Sequence, residues 1–191
     1  MNRKIILAST SPRRQQIFKL LDIKFKVADS GYEEVVNPKL KHEELVKFLA
    51  LGKAHAAAKK YPNAIIVAAD TMVSFRGKAI GKPKNKEEAE KILKAFSGQS
   101  HEVISGVAVL DAKSKQVIIF VDKIKIYFKK LSPKDIAAYI KSGNPFDKAG
   151  GYNLQGPGFS LISKIEGDFS CGLGLPMTKV FNTLEKLGVK I

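Results

Sequence analysis

The residues best suited to chemistry begin with Ser9-Thr10-Ser11-Pro12-Arg13-Arg14, where the apolar run Ile5 to Ala8 gives way to a helix-opening signal. Hydroxyls of Ser9 and Ser11, backbone N–H groups at a helix start and a guanidinium fork from Arg13 or Arg14 together suit phosphate oxygens. The same residues also suit a plainly capped helix with two solvated arginines. Asp70 follows Ala64-Ile65-Ile66-Val67-Ala68-Ala69 and is expected where that buried strand ends, the place where ligand crevices form in α/β sheets. A carboxylate there can bind a divalent cation, orient a water for attack or cap a turn. Glu33 and Glu34 could complete a hard oxygen site for Mg²⁺ or Mn²⁺, or form a solvated acidic pair.

Two lysines stand in unusual settings. Lys53 follows Gly52 inside a helical pattern, and Lys82 lies in Gly81-Lys82-Pro83, where the flanking residues restrict the backbone. Either could meet a polyphosphate as a point charge, or simply face water. The stretch from Asp147 to Gly158 carries Gly150, Gly151, Gly156 and Gly158, which let backbone amides approach a ligand or serve irregular turns. Within it Gln155 offers both donor and acceptor to a base edge, and Tyr152 could pack on a base or anchor the loop. His42, His55 and His101 form no metal-ligand spacing, and His101 reads as a hydrogen-bonded structural group. Cys171, the only cysteine, reads as packing and excludes an internal disulfide. No Walker A, GxSxG or GxGxxG pattern is present.

The elements that must position these residues alternate between strand and helix. Strands are expected at 5–8, 24–28, 64–69, 103–110, 117–128 and 159–165. Helices are expected from Pro12, with Ser11 as N-cap, at 42–61 before Pro62, at 86–96, from Ser132-Pro133-Lys134-Asp135 to about Lys141, and at 176–187. Residues 142–158 read mainly as loop with room for a short helix. No repeat or linker interrupts the chain, so residues 1–191 are expected to form one domain with a mixed α/β sheet.

Composition bounds the rest. A chain of 191 residues with 45% hydrophobic and 27% charged residues is an ordinary globular protein, not a disordered, collagen-like or disulfide-stapled one. At this size roughly 70% of the unfolded surface is buried, so no structural metal is required for folding. The 33 Lys and Arg outweigh 18 Asp and Glu, a formal charge of +15, which favours anionic partners. No apolar window approaches ~20 residues and Ile5 to Ala8 is too short for a signal-peptide core, so no membrane association is expected and the cytoplasm is the default location.

Taken in order, several segments resemble the Maf family of nucleotide pyrophosphatases. They are Leu7-Ala8-Ser9-Thr10-Ser11-Pro12-Arg13-Arg14, Glu33, Lys53-Ala54, Ala69-Asp70-Thr71, Gly81-Lys82-Pro83, and Ser97-Gly98 with His101. Asp147-Lys148-Ala149-Gly150, Gln155-Gly156, and Gly167-Asp168 with Gly174-Leu175-Pro176 complete the set. Each piece is weak alone; the ordered set spans nearly the whole chain and is specific. The resemblance implies an elongated mixed-sheet α/β fold with two lobes around a central cleft, similar to inosine triphosphate pyrophosphatases. It implies hydrolysis of a nucleoside triphosphate to monophosphate and pyrophosphate, with Mg²⁺ or Mn²⁺ as cofactor. By the same resemblance, Asp70 would accept the proton from water, and Glu33 and Asp70 would hold the metal. Ser9, Arg13, Lys53 and Lys82 would hold phosphates, while Arg13, Thr71 and Gln155 would set substrate choice. Asp-Lys-Ala-Gly followed by Gln-Gly resembles the branch acting on dTTP and UTP, and modified pyrimidine nucleotides fall within its reach. The sister branch, preferring 7-methyl-GTP, carries a different loop there. The chain departs from the family at Phe169-Ser170-Cys171-Gly172-Leu173, which leaves the local loop shape open and does not touch the residues proposed for catalysis. A homodimer is compatible with the resemblance.

Two other readings compete. A nucleic-acid-binding module would explain the charge, but the basic residues are dispersed and no recognition signature accompanies them, so no stable nucleic-acid complex is expected. A nucleotide-binding regulator of cell-division arrest, a role linked to the family, would keep the site without the turnover.

Overall fold

A computed structural model describes residues 3–35, 37–142 and 145–191. Seven strands form one sheet in the order β2-β1-β3-β5-β6-β7, with β4 paired to β3. In chain order they are β1 (Ile5–Leu7), β2 (Phe25–Val27), β3 (Ile65–Phe75), β4 (Lys78–Ile80), β5 (Ser100–Asp111), β6 (Val117–Phe128) and β7 (Ile162–Glu166). The helices are α1 (Pro12–Phe18), α2 (His42–Lys60), α3 (Lys86–Phe96), α4 (Pro133–Ser142), α5 (Phe169–Gly172) and α6 (Met177–Lys186). β1 runs parallel to β2 and β3, whereas β3 with β4 and β6 with β7 are antiparallel, so the sheet is mixed, as the alternating pattern predicts. Among the described residues no helix is long and apolar enough to cross a membrane.

The chain divides into two compact units. The first comprises residues 1–71, 104–122 and 170–191. Its core is a layer of small side chains: Ala50, Ala54 and Ala57 of α2 meet Ile6 of β1, Ile66 and Ala68 of β3, and Ala108 of β5. Alanine on the helix face lets α2 lie close to the sheet. Gly106 makes the approach closer still, because a Cβ there would stand 2.5 Å from the backbone of Val46. A backbone–backbone contact of that kind has no flexible group to yield.

The second unit comprises residues 72–103 and 123–169. Its centre is aromatic. Phe96 of α3 stacks on His101 at 4.1 Å between ring centroids, and Phe75, Phe128 and Tyr152 meet Phe96 edge to face. Asn85 caps α3 by accepting from the Glu88 N–H, while the Glu88 carboxylate accepts from the Lys84 N–H. The expected box at the start of α4 is also formed: Ser132 and Asp135 exchange side-chain-to-backbone hydrogen bonds.

The structure departs from the sequence-based expectation in four places. β3 does not end at Ala69; it runs through Asp70 and Thr71 to Phe75, so Asp70 lies mid-strand. Arg76 and Gly77, both at positive φ, then turn the chain into the unexpected β4. The strand expected at 159–165 begins only at Ile162, because Gly156–Leu161 winds as a 3₁₀ helix. Phe169–Gly172, the segment that departs from the family pattern, forms the short helix α5 with Cys171 fully buried.

Candidate active site

The first unit gathers one group of candidate residues around β3. The Lys53 ammonium, projected from the middle of α2, lies 2.5 Å from Asp70 Oδ1 and 2.7 Å from Glu34 Oε1. The side chains of Lys53 and Asp70 are only 14% and 15% exposed, so this pairing is partly shielded from water, while Glu34 stands half open at 49%. Of the two neighbouring glutamates, Glu34 makes this contact and Glu33 lies exposed one residue away. The segment carrying them is seated by Tyr32, whose ring lies directly on Gly52. A Cβ at position 52 would come within 2.3 Å of that ring. That contact explains a glycine inside a helix, next to the lysine that meets the carboxylates.

Asp70 shares this place with the turn after β1. Ser9 is buried, and its Oγ accepts from the Ser11 N–H at 3.3 Å and from Arg14 Nη1 at 3.4 Å. Ser11 is the N-cap residue of α1, but its own side chain makes no capping hydrogen bond. The Arg14 guanidinium is fixed from three sides, donating also from Nε to the Gly174 carbonyl and from Nη2 to Thr71 Oγ1, both at 2.9 Å. Burial lowers its pKa, Asp70 and Glu34 pull it back up, and Arg13 adds to the lowering. Arg14 is thus a cation spent on holding the site together, while Arg13 beside it is half-buried.

Thr71 belongs to a directed chain of hydroxyls. Ser105, fully buried on β5, donates to the Cys171 carbonyl at 2.9 Å. Its oxygen then accepts from Thr71 Oγ1, 2.9 Å away, and Thr71 in turn accepts from Arg14. Ser105 gives its one proton to the Cys171 carbonyl, so Thr71 is the donor between the two hydroxyls, with the Gly174 carbonyl at 3.4 Å as its other acceptor. Gly174 completes it: at φ +94° a Cβ would stand 3.0 Å from Arg14 Nε and 3.1 Å from Thr71 Oγ1. The Gly174-Leu175-Pro176 turn and α5 therefore serve the same network. Sequence reasoning offered Arg14 only as the alternative to Arg13, and Glu34 only as one of an acidic pair, and it missed Ser105; a serine inside the apolar run of β5 was the available signal for the last.

The second unit holds Lys82 and Gln155. Gly81 accepts from the Gly150 N–H at 3.0 Å, and Gly151 lies against Pro83, so the Lys82 turn and the glycine-rich loop are built as one piece. Lys82 is exposed and Gln155 half-buried. Tyr152 anchors the loop: it is buried, and its hydroxyl lies 2.6 Å from His101 Nε2. Burial pushes the His101 imidazole down to about 4, so it is neutral at physiological pH.

Among the described residues no group of three or more His, Cys, Asp or Glu converges as a metal cage. Asp70 and Glu34 nevertheless already share one cation, the Lys53 ammonium. A hard divalent ion that bridges phosphates needs only one or two protein carboxylates, with water and phosphate oxygens filling its remaining positions. The donor set therefore fits such an ion.

A family model described as Maf-like protein matches residues 4–187. Proteins named dTTP/UTP pyrophosphatase are similar along their whole length. That of Methanosarcina mazei is 42% identical over 190 residues, covering 99% of this chain and 96% of its own. That of Bacillus velezensis is 41% identical, with complete coverage of both. The Dictyoglomus thermophilum protein of the same name is 41% identical over 192 residues, again with both chains fully covered. Among solved structures, a HAM1 protein from Coxiella burnetii superposes with a TM-score of 0.58 at 15% identity, covering 96% of this chain and 99% of that one. The Ham1 protein of Staphylococcus aureus gives 0.52 at 16%, covering 96% and 100%. At such identities the likeness concerns the fold, the central mixed sheet flanked by helices. With the family model spanning nearly every residue and relatives above 40% identity from end to end, the chain belongs to the Maf family.

Proposed function

We propose that this chain is a metal-dependent nucleoside triphosphate pyrophosphatase that hydrolyses dTTP and UTP, and their modified pyrimidine counterparts, to monophosphate and pyrophosphate. The names of its full-length relatives support the substrate class. The observation that carries the chemical reading is the convergence of Asp70 with Lys53, Glu34 and Arg14. A carboxylate that must take a proton stands there beside Lys53, a cation on a flexible stem that can meet a polyphosphate, with Arg14 holding the surrounding turn.

In this reading Asp70 is the proton acceptor for the attacking water, and the α–β anhydride breaks with one water consumed. Arg13, Lys53 and Lys82 neutralise charge on the phosphoryl and leaving oxygens, and Ser9 holds the turn that presents Arg13. Asp70 with the Glu33–Glu34 pair would hold Mg²⁺ or Mn²⁺. When bound, such an ion supplies Lewis-acid stabilisation of the same charge. Thr71, held by its hydroxyl chain, and Arg13 and Gln155 select the nucleotide, and Lys148, Gly150 and Tyr152 shape the loop that carries Gln155. Residues 1–191 act as a single functional unit in this account.

A panel of nucleoside triphosphates with added Mg²⁺ or Mn²⁺, quantifying monophosphate and pyrophosphate together, tests it. Equimolar monophosphate and pyrophosphate, fastest from dTTP and UTP, is the expected outcome. Release of orthophosphate, or no turnover of either pyrimidine nucleotide, would contradict it.

A further inference from the structure

The Lys53 ammonium stands between two of the carboxylates proposed above to hold the metal. It stands 2.5 Å from Asp70 Oδ1 and 2.7 Å from Glu34 Oε1, bridging the two carboxylates of the proposed cation site. Like charges so close together in a partly shielded site repel strongly, so a divalent cation and this ammonium cannot both sit there. One of the nearby cations is immovable. Arg14 is locked by hydrogen bonds to Ser9, Thr71 and Gly174. Lys53 is different: its charge is carried on a flexible stem and is held through the carboxylates themselves.

We propose that Lys53 is a resident counter-ion that exchanges with the divalent cation: the cation takes Asp70 and Glu34, and the displaced ammonium turns to the triphosphate tail. Lys53 then has two roles in sequence, keeping the carboxylate pair neutralised before loading and binding phosphate afterwards. The exchange links the two ligands. A cation arriving alone must push the ammonium into water, whereas a nucleotide offers that ammonium a new anionic partner and so favours the cation. The phosphate half of the exchange rests on the pyrophosphatase reading above; the displacement by a cation does not.

The test is a Mn²⁺ titration without nucleotide, following free Mn²⁺ by electron paramagnetic resonance, on the wild type and on Lys53→Met, Lys53→Gln and Lys53→Arg. Removing one unit charge a few ångströms from the site should tighten Mn²⁺ binding by ~10-fold or more in the Met and Gln variants. Lys53→Arg keeps the charge and should bind as weakly as wild type, a difference that a merely structural role would not produce. Met and Gln variants that bind Mn²⁺ no tighter than wild type overturn the proposal. A second arm needs no variant. Acetylation of Lys53 in the wild-type protein, read by peptide mass spectrometry, should rise on adding millimolar Mn²⁺ at matched ionic strength; unchanged labelling counts against the exchange. Neither arm uses turnover. A chain that releases pyrophosphate without these shifts loses this inference alone, and one that shows the shifts but hydrolyses no triphosphate loses the functional reading alone.

Discussion

Neighbouring residues of this chain have different fates, and that decides what each can do. Arg13 and Arg14 point about 100° apart on a helix, and only Arg14 is drawn into the Thr71 and Gly174 network. Glu33 and Glu34 divide in the same way, with Glu34 at Lys53. A sequence without periodicity around residues 30–36 cannot say which of two adjacent glutamates faces inward, so the acidic pair was legible and its working member was not. His101 was legible as a structural group because it has no metal-ligand spacing, and its hydrogen bond to Tyr152 agrees. Its titration gives a prediction. Burial holds the folded value near 4, below the ordinary 6.5, so the unfolded chain binds the proton more readily. Stability is then full above about pH 6.5 and declines as pH falls towards 4, by about 3 kcal/mol in all if that shift acts alone. Asp111 does not confuse the window: burial would raise it, but Arg3, Ser114 and backbone N–H groups hold it down to about 2. Thermal melts from pH 7 to 4 should show the decline in wild type and a shallower one in His101→Gln. Equal slopes would contradict this account.

At the scale of elements, the strongly patterned ones were readable. α2 ends at Lys60 before Pro62, and α3 ends at Phe96, as their spacing predicts. The misreadings have physical causes. Apolarity stops at Ala69, but the ladder of β3 continues through half-buried Asp70, Thr71 and Met72, and backbone pairing leaves no mark on composition. α5 has four residues, too few for any helical period to show. Gly52 was conspicuous in α2, yet its cause, the ring of Tyr32, lies twenty positions away along the chain. In an open helix Gly52→Ala would stabilise by about 1 kcal/mol. Here it should lower the melting temperature, because the new Cβ strikes the Tyr32 ring. Adding Tyr32→Ala to Gly52→Ala should restore the helix gain relative to Tyr32→Ala alone. A melting temperature raised by the single glycine substitution would refute the Tyr32 contact.

For the whole molecule, the formal charge of +15 and the family match point the same way, towards a small polyanion. Long-range steering acts on encounter and is screened by salt. Between low and physiological ionic strength kcat/KM for dTTP should fall several-fold while kcat holds nearly constant. A salt-independent kcat/KM would remove charge steering from the account. The fold class was legible from the alternation of apolar runs and helical spacings, and the likeness to Ham1 proteins agrees with it at 15–16% identity. Two lobes were implied by the family resemblance alone; composition did not mark the two compact units, because each is assembled from segments far apart in the chain.

The central claim is that Asp70 takes the proton from water during hydrolysis of a pyrimidine nucleoside triphosphate. Asp70→Asn keeps the shape and removes the base, so single-turnover release of pyrophosphate from dTTP, measured beside calorimetric dTTP binding, tests it most directly. The account predicts a loss of at least ~10²-fold in the rate with binding largely retained. A variant that still binds dTTP and releases pyrophosphate at close to the wild-type rate would contradict it.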